Sequence, residues 1–344
     1  QVMGLAVQAD LTVTFGAAKV GQAVQPGLDC CGDLAVIDIG IPDQALAQAG
    51  LDHYELEAWD AAAAWPKLPP EAHKGTAGHL LILAGSPGKT GAACLVAEGA
   101  LRAGAGLATC GCPASLNPIL EAKLTEAMTE PLAETAQGTL GPESVAGLAP
   151  LLEGKTALAL GPGLSTRPEV KELVDWVVHE ANLPLVIDAD GLNLLAPRPE
   201  VLKETKKGAV LTPHPGEMAR LLKSTPAQIQ ADRLGAARTL AQRSGQVVIL
   251  KGARSIVASP EGQVFINPTG NPGLASGGTG DVLTGLIGGL LAQGLSPLQA
   301  AQAGVYVHGL AADLLWQETG GRGFLASEVA RAVPLAVRSL VEDV

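Results

Sequence analysis

The chain has 344 residues, 47% of them hydrophobic, and a net charge of −11 from 23 basic and 34 acidic side chains. That length allows one large domain or two ordinary ones with ample core. No apolar run is long enough to span a bilayer, and no Lys/Arg cluster could neutralise a run of phosphates, so a membrane span is excluded and a nucleic-acid partner is argued against.

In chain order, Gln1 opens the sequence without Met, without a basic leader and without a signal-type cleavage site. This reads as a fragment or processed product with a cytoplasmic home. Strand-like runs at 11–15 and 34–39 are too short to bury a sheet of their own, so residues 1–51 read as the tail of a domain. Residues 52–70 turn acidic and Ala-rich and end in Pro66, Pro69 and Pro70, the pattern of a linker. The main domain is expected over 71–344. There, apolar runs at 80–84, 107–110, 157–160, 185–188, 209–212 and 247–251 alternate with helical stretches at 91–104, 169–181, 215–223 and 226–244. A β-hairpin is expected at 255–266, around Pro260-Glu-Gly262. Solid apolar strands alternating with helices predict an α/β fold: three layers, α/β/α, with a mainly parallel central sheet.

Ligands of such sheets collect at the C-terminal strand ends, and the polar turns fall there. Gly85-Ser-Pro-Gly-Lys-Thr90 resembles a P-loop, but Leu83 occupies the position of the first glycine, so the loop is two residues short of wrapping a phosphate. Gly161-Pro-Gly163 offers a flat surface free of side chains, suited to a flat ring. His214 is stiffened between Pro213 and Pro215. Glu217, three residues on, reads either as a first-turn helix acid or as a carboxylate for hydrated magnesium. Lys251-Gly-Ala-Arg-Ser255 gathers two cations and a hydroxyl, a natural partner for a nucleotide phosphate or ribose or simply an exposed turn. Asp188 and Asp190 could cap the next helix or bind a ligand. The five cysteines match no zinc spacing.

The segment Asn271-Pro-Gly-Leu-Ala-Ser-Gly-Gly-Thr-Gly-Asp281 carries the most chemistry. Glycines 277, 278 and 280 can turn N–H groups toward one point, and the helix that follows adds its positive end, making an anion hole without a lysine. A carboxylate would repel that anion. Asp281 therefore makes sense there as a base that takes a proton from a group about to attack phosphorus, with helix capping as the competing explanation.

Several of these segments, in this order, resemble the ADP/ATP-dependent NAD(P)H-hydrate dehydratases of the ribokinase-like fold. They are Lys74-Gly-Thr-Ala-Gly-His79, Leu83-Ala-Gly-Ser86, Gly91-Ala-Ala93, Gly161-Pro-Gly163, Asp188-Ala-Asp-Gly-Leu-Asn193, Leu211-Thr-Pro-His-Pro-Gly-Glu217, Lys251-Gly252 and the Asn271 to Asp281 segment, covering most of 70–340. Residues Ala9-Asp-Leu-Thr-Val-Thr-Phe15 and Gly40-Ile-Pro42 resemble the end of an NAD(P)H-hydrate epimerase domain, whose catalytic portion would lie upstream, so no epimerase activity is expected of this chain alone.

The resemblance implies that Ala92, Gly163, His214 and Asp281 face the hydrated nicotinamide nucleotide, NADHX or NADPHX. It implies that Lys251, Gly252, Ala253, Arg254 and Ser255, with Gly277, Gly278, Thr279 and Gly280, hold ADP or ATP, that Glu217 links to magnesium through water, and that the protein is a homo-oligomer. Related sugar kinases carry Asn where His214 stands. A small-molecule kinase of the same fold and a nucleotide-sensing module are the alternatives.

Overall fold

The computed structural model describes residues 4–342. Among the described residues, twelve strands form two sheets. The first pairs β1 (Leu11–Phe15) with β2 (Asp33–Ile37) in parallel. Parallel strands are normally covered on both faces, yet Leu11, Val13, Phe15, Val36 and Ile37 are exposed.

The second sheet holds β3 (His53–Glu55), β4 (His79–Leu83), β5 (Leu107–Pro113), β6 (Met128–Leu132), β7 (Ala157–Leu160), β8 (Leu185–Ile187), β9 (Ala209–Leu211), β10 (Val247–Leu250), β11 (Ile256–Ala258) and β12 (Val264–Ile266). Its order is β3-β12-β11-β10-β9-β8-β7-β4-β5-β6. From β10 through β6 every neighbouring pair is parallel, and β11 and β12 add an antiparallel hairpin at one side. The α/β reading with a mainly parallel sheet holds.

The two faces sort by residue period. Leu80, Ile82, Ala157 and Ala159 face one core, and Leu81, Leu83, Leu158 and Leu160 face the other, as strand alternation requires. The first core is roofed by helices Thr90–Arg102, Thr279–Ala292, Pro297–Thr319 and Ala326–Glu342, and the second by helices that include Pro168–Glu180 and Arg233–Ser244. Ala157 and Ala159 on the first face, and Gly288 over Leu80, let the glycine-rich helix Thr279–Ala292 lie close to the sheet. Gly99 and Gly285 then bring its backbone onto that of helix Thr90–Arg102: a Cβ at Gly99 would stand 2.5 Å from the Val282 carbonyl oxygen, and one at Gly285 would collide with the Val96 carbonyl.

Two expectations need correction. Residues 52–70 are not a bare linker. β3 pairs with β12, helix Ala58–Ala64 packs on helix Pro297–Thr319, and Leu56, Ala61 and Ala62 are buried. A three-residue strand and a seven-residue helix are too short to stand out as a periodic pattern. The helix expected at 226–244 is two, Pro226–Ala231 and Arg233–Ser244, because Asp232 leaves helical geometry and its side chain accepts the Gly235 N–H to start the second.

Candidate active site

Five adjacent strands, β10-β9-β8-β7-β4, end along one rim, and each passes into a polar turn. The turns are stitched together: the Gly85 N–H donates to the Pro162 carbonyl at 2.8 Å, the Ser86 hydroxyl to the Gly163 carbonyl at 2.7 Å, and the Lys251 N–H to the Pro213 carbonyl at 2.9 Å.

A cleft of about 410 Å³ opens on this rim, lined by Ala92, Gly163, Ala189, Asp190, Lys89 and Asp281 among others. Three of the four residues expected at the hydrated nucleotide thus meet in one place. Gly163 sits at φ 66°, and a Cβ there would press to 3.0 Å on the Lys89 Cβ and 3.1 Å on the Ala92 Cβ, so glycine is required for this wall. Ala189 holds φ 50°, a left-handed conformation unusual for a residue with a side chain and typical of constrained sites.

Asp281 does not cap its helix. Gly278 is the N-cap and Asp281 the third residue, with its carboxylate on the cleft wall. Among the described residues, no hydrogen bond or ion pair from the protein reaches that carboxylate. Burial, reinforced by the charges of Asp188 and Asp190 and opposed by Lys251, pushes its pKa up to about 6. It is therefore an ionised, unengaged base at neutral pH, with a proton affinity well above that of an ordinary aspartate.

Asp188 and Asp190, left open between capping and binding, do neither capping job. The buried Asp188 accepts the Lys251 ammonium at 2.7 Å and the Thr284 hydroxyl at 2.9 Å. Asp190 accepts the Ser165 N–H at 2.9 Å and the Lys89 ammonium at 3.0 Å. Burial works against the Lys251 charge, but Asp188 and Glu217 outweigh it, and its pKa lies above the usual lysine value. The lysine expected at the nucleotide is thus already paired within the protein. A Cβ on Gly280 would lie 3.4 Å from its Nζ, which puts the ammonium directly beneath the glycine turn.

The rest of the 251–255 turn is equally braced. The Arg254 guanidinium donates to Glu55 at 2.9 Å, the Ser255 hydroxyl to the Gly252 carbonyl at 3.1 Å, and Arg233, from the neighbouring helix, to the Ala253 carbonyl. With these side chains engaged inside the protein, what the turn leaves exposed is chiefly backbone. Ala253 and Gly252 are exposed, as is Gly277 in the following loop.

His214 and Glu217 form a reciprocal cap on helix Pro215–Leu222. Nδ1 of His214 accepts the Gly216 and Glu217 N–H groups, and Glu217 accepts the His214 N–H at 2.9 Å. Because Nδ1 accepts, the ring proton belongs on Nε2, which stands 3.3 Å from the second Glu217 oxygen. Burial, then Lys251, lowers the His214 pKa, so the ring is neutral. Burial, then Asp188, raises that of Glu217. With its side chain only 5% exposed and both oxygens toward His214, Glu217 fits helix capping better than holding a metal. Among the described residues no three His, Cys, Asp or Glu converge as a metal group.

Asp188, Lys89 and Thr284 are site residues that the sequence reading did not assign. Asp188 had a signal, a carboxylate ending a buried strand, but its partner lies 63 positions away.

A mainly parallel α/β sheet, with a cleft at the C-terminal rim of its strands beside a glycine-built helix N-terminus, places the chain in the ribokinase-like class, and a solved structure of that class shares this fold. A family model described as NAD(P)H-hydrate dehydratase matches residues 80–335. The chain belongs to the NAD(P)H-hydrate dehydratase family. It is 45% identical over 341 residues to a bifunctional NAD(P)H-hydrate repair enzyme of Moorella thermoacetica, covering 99% of this chain and 64% of that protein. It is 39% identical over 266 residues to the ADP-dependent (S)-NAD(P)H-hydrate dehydratase of Neisseria meningitidis serogroup B, covering 76% of this chain and 86% of the relative. The ADP/ATP-dependent NAD(P)H-hydrate dehydratase of Bacillus subtilis, crystallised with ATP and Mg2+, superposes with a TM-score of 0.71 at 32% identity over 83% of this chain and 98% of its own. The chain thus spans about 64% of the length of the bifunctional relative.

Proposed function

We propose that this chain catalyses the nucleotide-dependent dehydration of (S)-NADHX and (S)-NADPHX to NADH and NADPH, converting ADP to AMP and phosphate, or ATP to ADP and phosphate. The observation that carries the reading is the Asp281 carboxylate: on the cleft wall, without a hydrogen-bond or ion-pair partner among the described residues, its pKa raised to about 6, and held in the first turn of a glycine-built helix N-terminus.

In the hydrate a hydroxyl sits on the ring carbon beside nitrogen, and hydroxide leaves poorly at neutral pH. Asp281 takes the hydroxyl proton while the oxygen attacks the terminal phosphorus. The new O–P bond forms as the bond to the remaining nucleotide breaks, and the N–H groups of the glycine turn stabilise the charge that develops. The ring nitrogen pair then expels phosphate, and the adjacent carbon gives up a proton to restore the double bond. Gly163 and Ala92 offer the flat wall against which the ring lies. Asp188 and Lys251 hold the floor beneath Gly280.

Magnesium, bound to the nucleotide phosphates, would supply charge neutralisation there. Such an ion keeps several waters and needs one or two carboxylates at most. We further propose a cytoplasmic homo-oligomer, to be checked by light scattering of the purified chain and by fractionation.

Incubation with (S)-NADHX, magnesium and ADP or ATP tests the reading. Return of dihydronicotinamide absorbance with stoichiometric phosphate supports it. Stable phosphorylated alcohol from another substrate would make the chain a kinase, and nucleotide binding without turnover would make it a sensor.

A further inference from the structure

Beside the site lies a buried titratable group that the mechanism leaves unused. His308, in helix Pro297–Thr319, places Nε2 2.9 Å from the carbonyl oxygen of Thr279, the first residue of the helix that carries Asp281. A carbonyl only accepts, so the ring proton is on Nε2 and the imidazole is the donor. Burial holds the His308 pKa down to about 4, so the ring keeps this neutral donor form at working pH.

Thr279 is fixed on its other side as well. Its hydroxyl lies 2.9 Å from the Leu274 carbonyl and 3.0 Å from that of Ser276. Thr279 is buried, whereas Ala275, Ser276 and Gly277 just before it are exposed. It is the point at which an exposed glycine loop is tied to the core.

The Thr279 carbonyl and the Gly280 N–H belong to one peptide unit. That unit is planar, with its C=O and N–H pointing in opposite directions. Whatever fixes the carbonyl therefore fixes where the N–H points. We propose that His308 is a positioning residue of the nucleotide site: by holding the Thr279 carbonyl it aims the Gly280 N–H, through the rigid peptide between them, at the nucleotide phosphate. This rests on the reading above, in which a phosphate sits at this helix N-terminus.

The test compares three variants of the full chain by calorimetry with ADP and by steady-state kinetics. In His308→Gln the side-chain amide reaches the position of Nε2, and in His308→Asn it falls short. In His308→Leu the donor is gone. Loss of one such bond predicts a five- to tenfold weaker Kd for ADP in the Asn and Leu variants, about the worth of a single hydrogen bond, with kcat reduced as well, and recovery in the Gln variant to within about twofold of the parent. Equal weakening of Gln and Leu, or no change in either, would overturn the proposal, since packing alone would then explain the residue. If the Leu variant does not fold, the Gln and Asn pair decides. A parent protein that binds ADP yet never dehydrates the hydrate would sink the functional reading while the ADP comparison still judges His308.

Discussion

Lys251 Nζ stands 2.7 Å from Asp188 Oδ1, which joins the ends of β10 and β8 across the intervening β9 by a charged contact beneath Gly280. The pair is deeply set, with side-chain exposures of 20% for the lysine and 2% for the aspartate. Such a pair adds modest net stability over an apolar replacement, but removing one partner leaves a charge stranded.

Asp188→Asn is therefore expected to lower unfolding free energy by about 3 kcal/mol, the lower end for a broken buried pair because Lys251 keeps some solvent contact. Urea denaturation measures this. The same change removes a negative charge that helps hold the Asp281 pKa up, so the acidic limb of the kcat/KM profile should move to lower pH. A limb that stays in place would separate Asp188 from the base.

Activity should fall as pH drops through about 6, where Asp281 takes up its proton and stops being a base. Asp281→Asn should cut turnover by about a thousandfold, in the range for loss of a general base, while ADP affinity measured by calorimetry is largely kept.

That variant should also be more heat-stable than the parent at pH 8. The Asp281 pKa is raised on folding, so the folded state binds the proton more tightly than the unfolded chain does. Ionising the group costs stability, and that cost is fully present above about 6 and disappears below the ordinary aspartate range. The gain in Tm should shrink as the buffer is taken to pH 4. A variant less stable than the parent at pH 8 would mean that the carboxylate has stabilising partners in solution.

Gly280→Val should fold, because a Cβ there meets only the Lys251 Nζ at 3.4 Å and the Asp188 Oδ2 at 3.8 Å, ordinary contact distances. It should still weaken ADP by about tenfold or more, since a branched side chain stands where the phosphate must approach the backbone. Unchanged ADP affinity would remove the phosphate from this turn.

Truncation tests the role of residues 52–70. Removing 1–51 should leave a folded, active dehydratase, whereas removing 1–70 should lower Tm and weaken nucleotide binding. The longer deletion strips β3 from the sheet edge, the buried Leu56, Ala61 and Ala62, and the Glu55 partner of Arg254. Equal behaviour of the two truncations would make this segment dispensable.

The parallel sheet was legible because most of its strands are uninterrupted apolar runs; Gly163 stood out in a turn at a strand end, and Asp281 at the start of the glycine-rich helix Thr279–Ala292. Residues whose purpose is set by a distant partner were not legible. Asp188 reads locally as a helix cap, and only folding places Lys251 and Thr284 against it. His214 and Glu217 show the reverse: a local capping signature was present in Pro-His-Pro-Gly-Glu, and the structure realises it. β6, mostly exposed and interrupted by a proline, and β3, with three residues, lacked the apolar density that marked the other strands.

The backbone-to-backbone seating of Gly285 against helix Thr90–Arg102 makes the whole element that bears Asp281 behave as a lever. One added methyl group at its middle forces the two rods apart, and the displacement is felt at the tip, where a fraction of an ångström separates a working base from an idle one. Lesions that extinguish turnover should consequently be found well away from the cleft, in small residues that touch neither substrate.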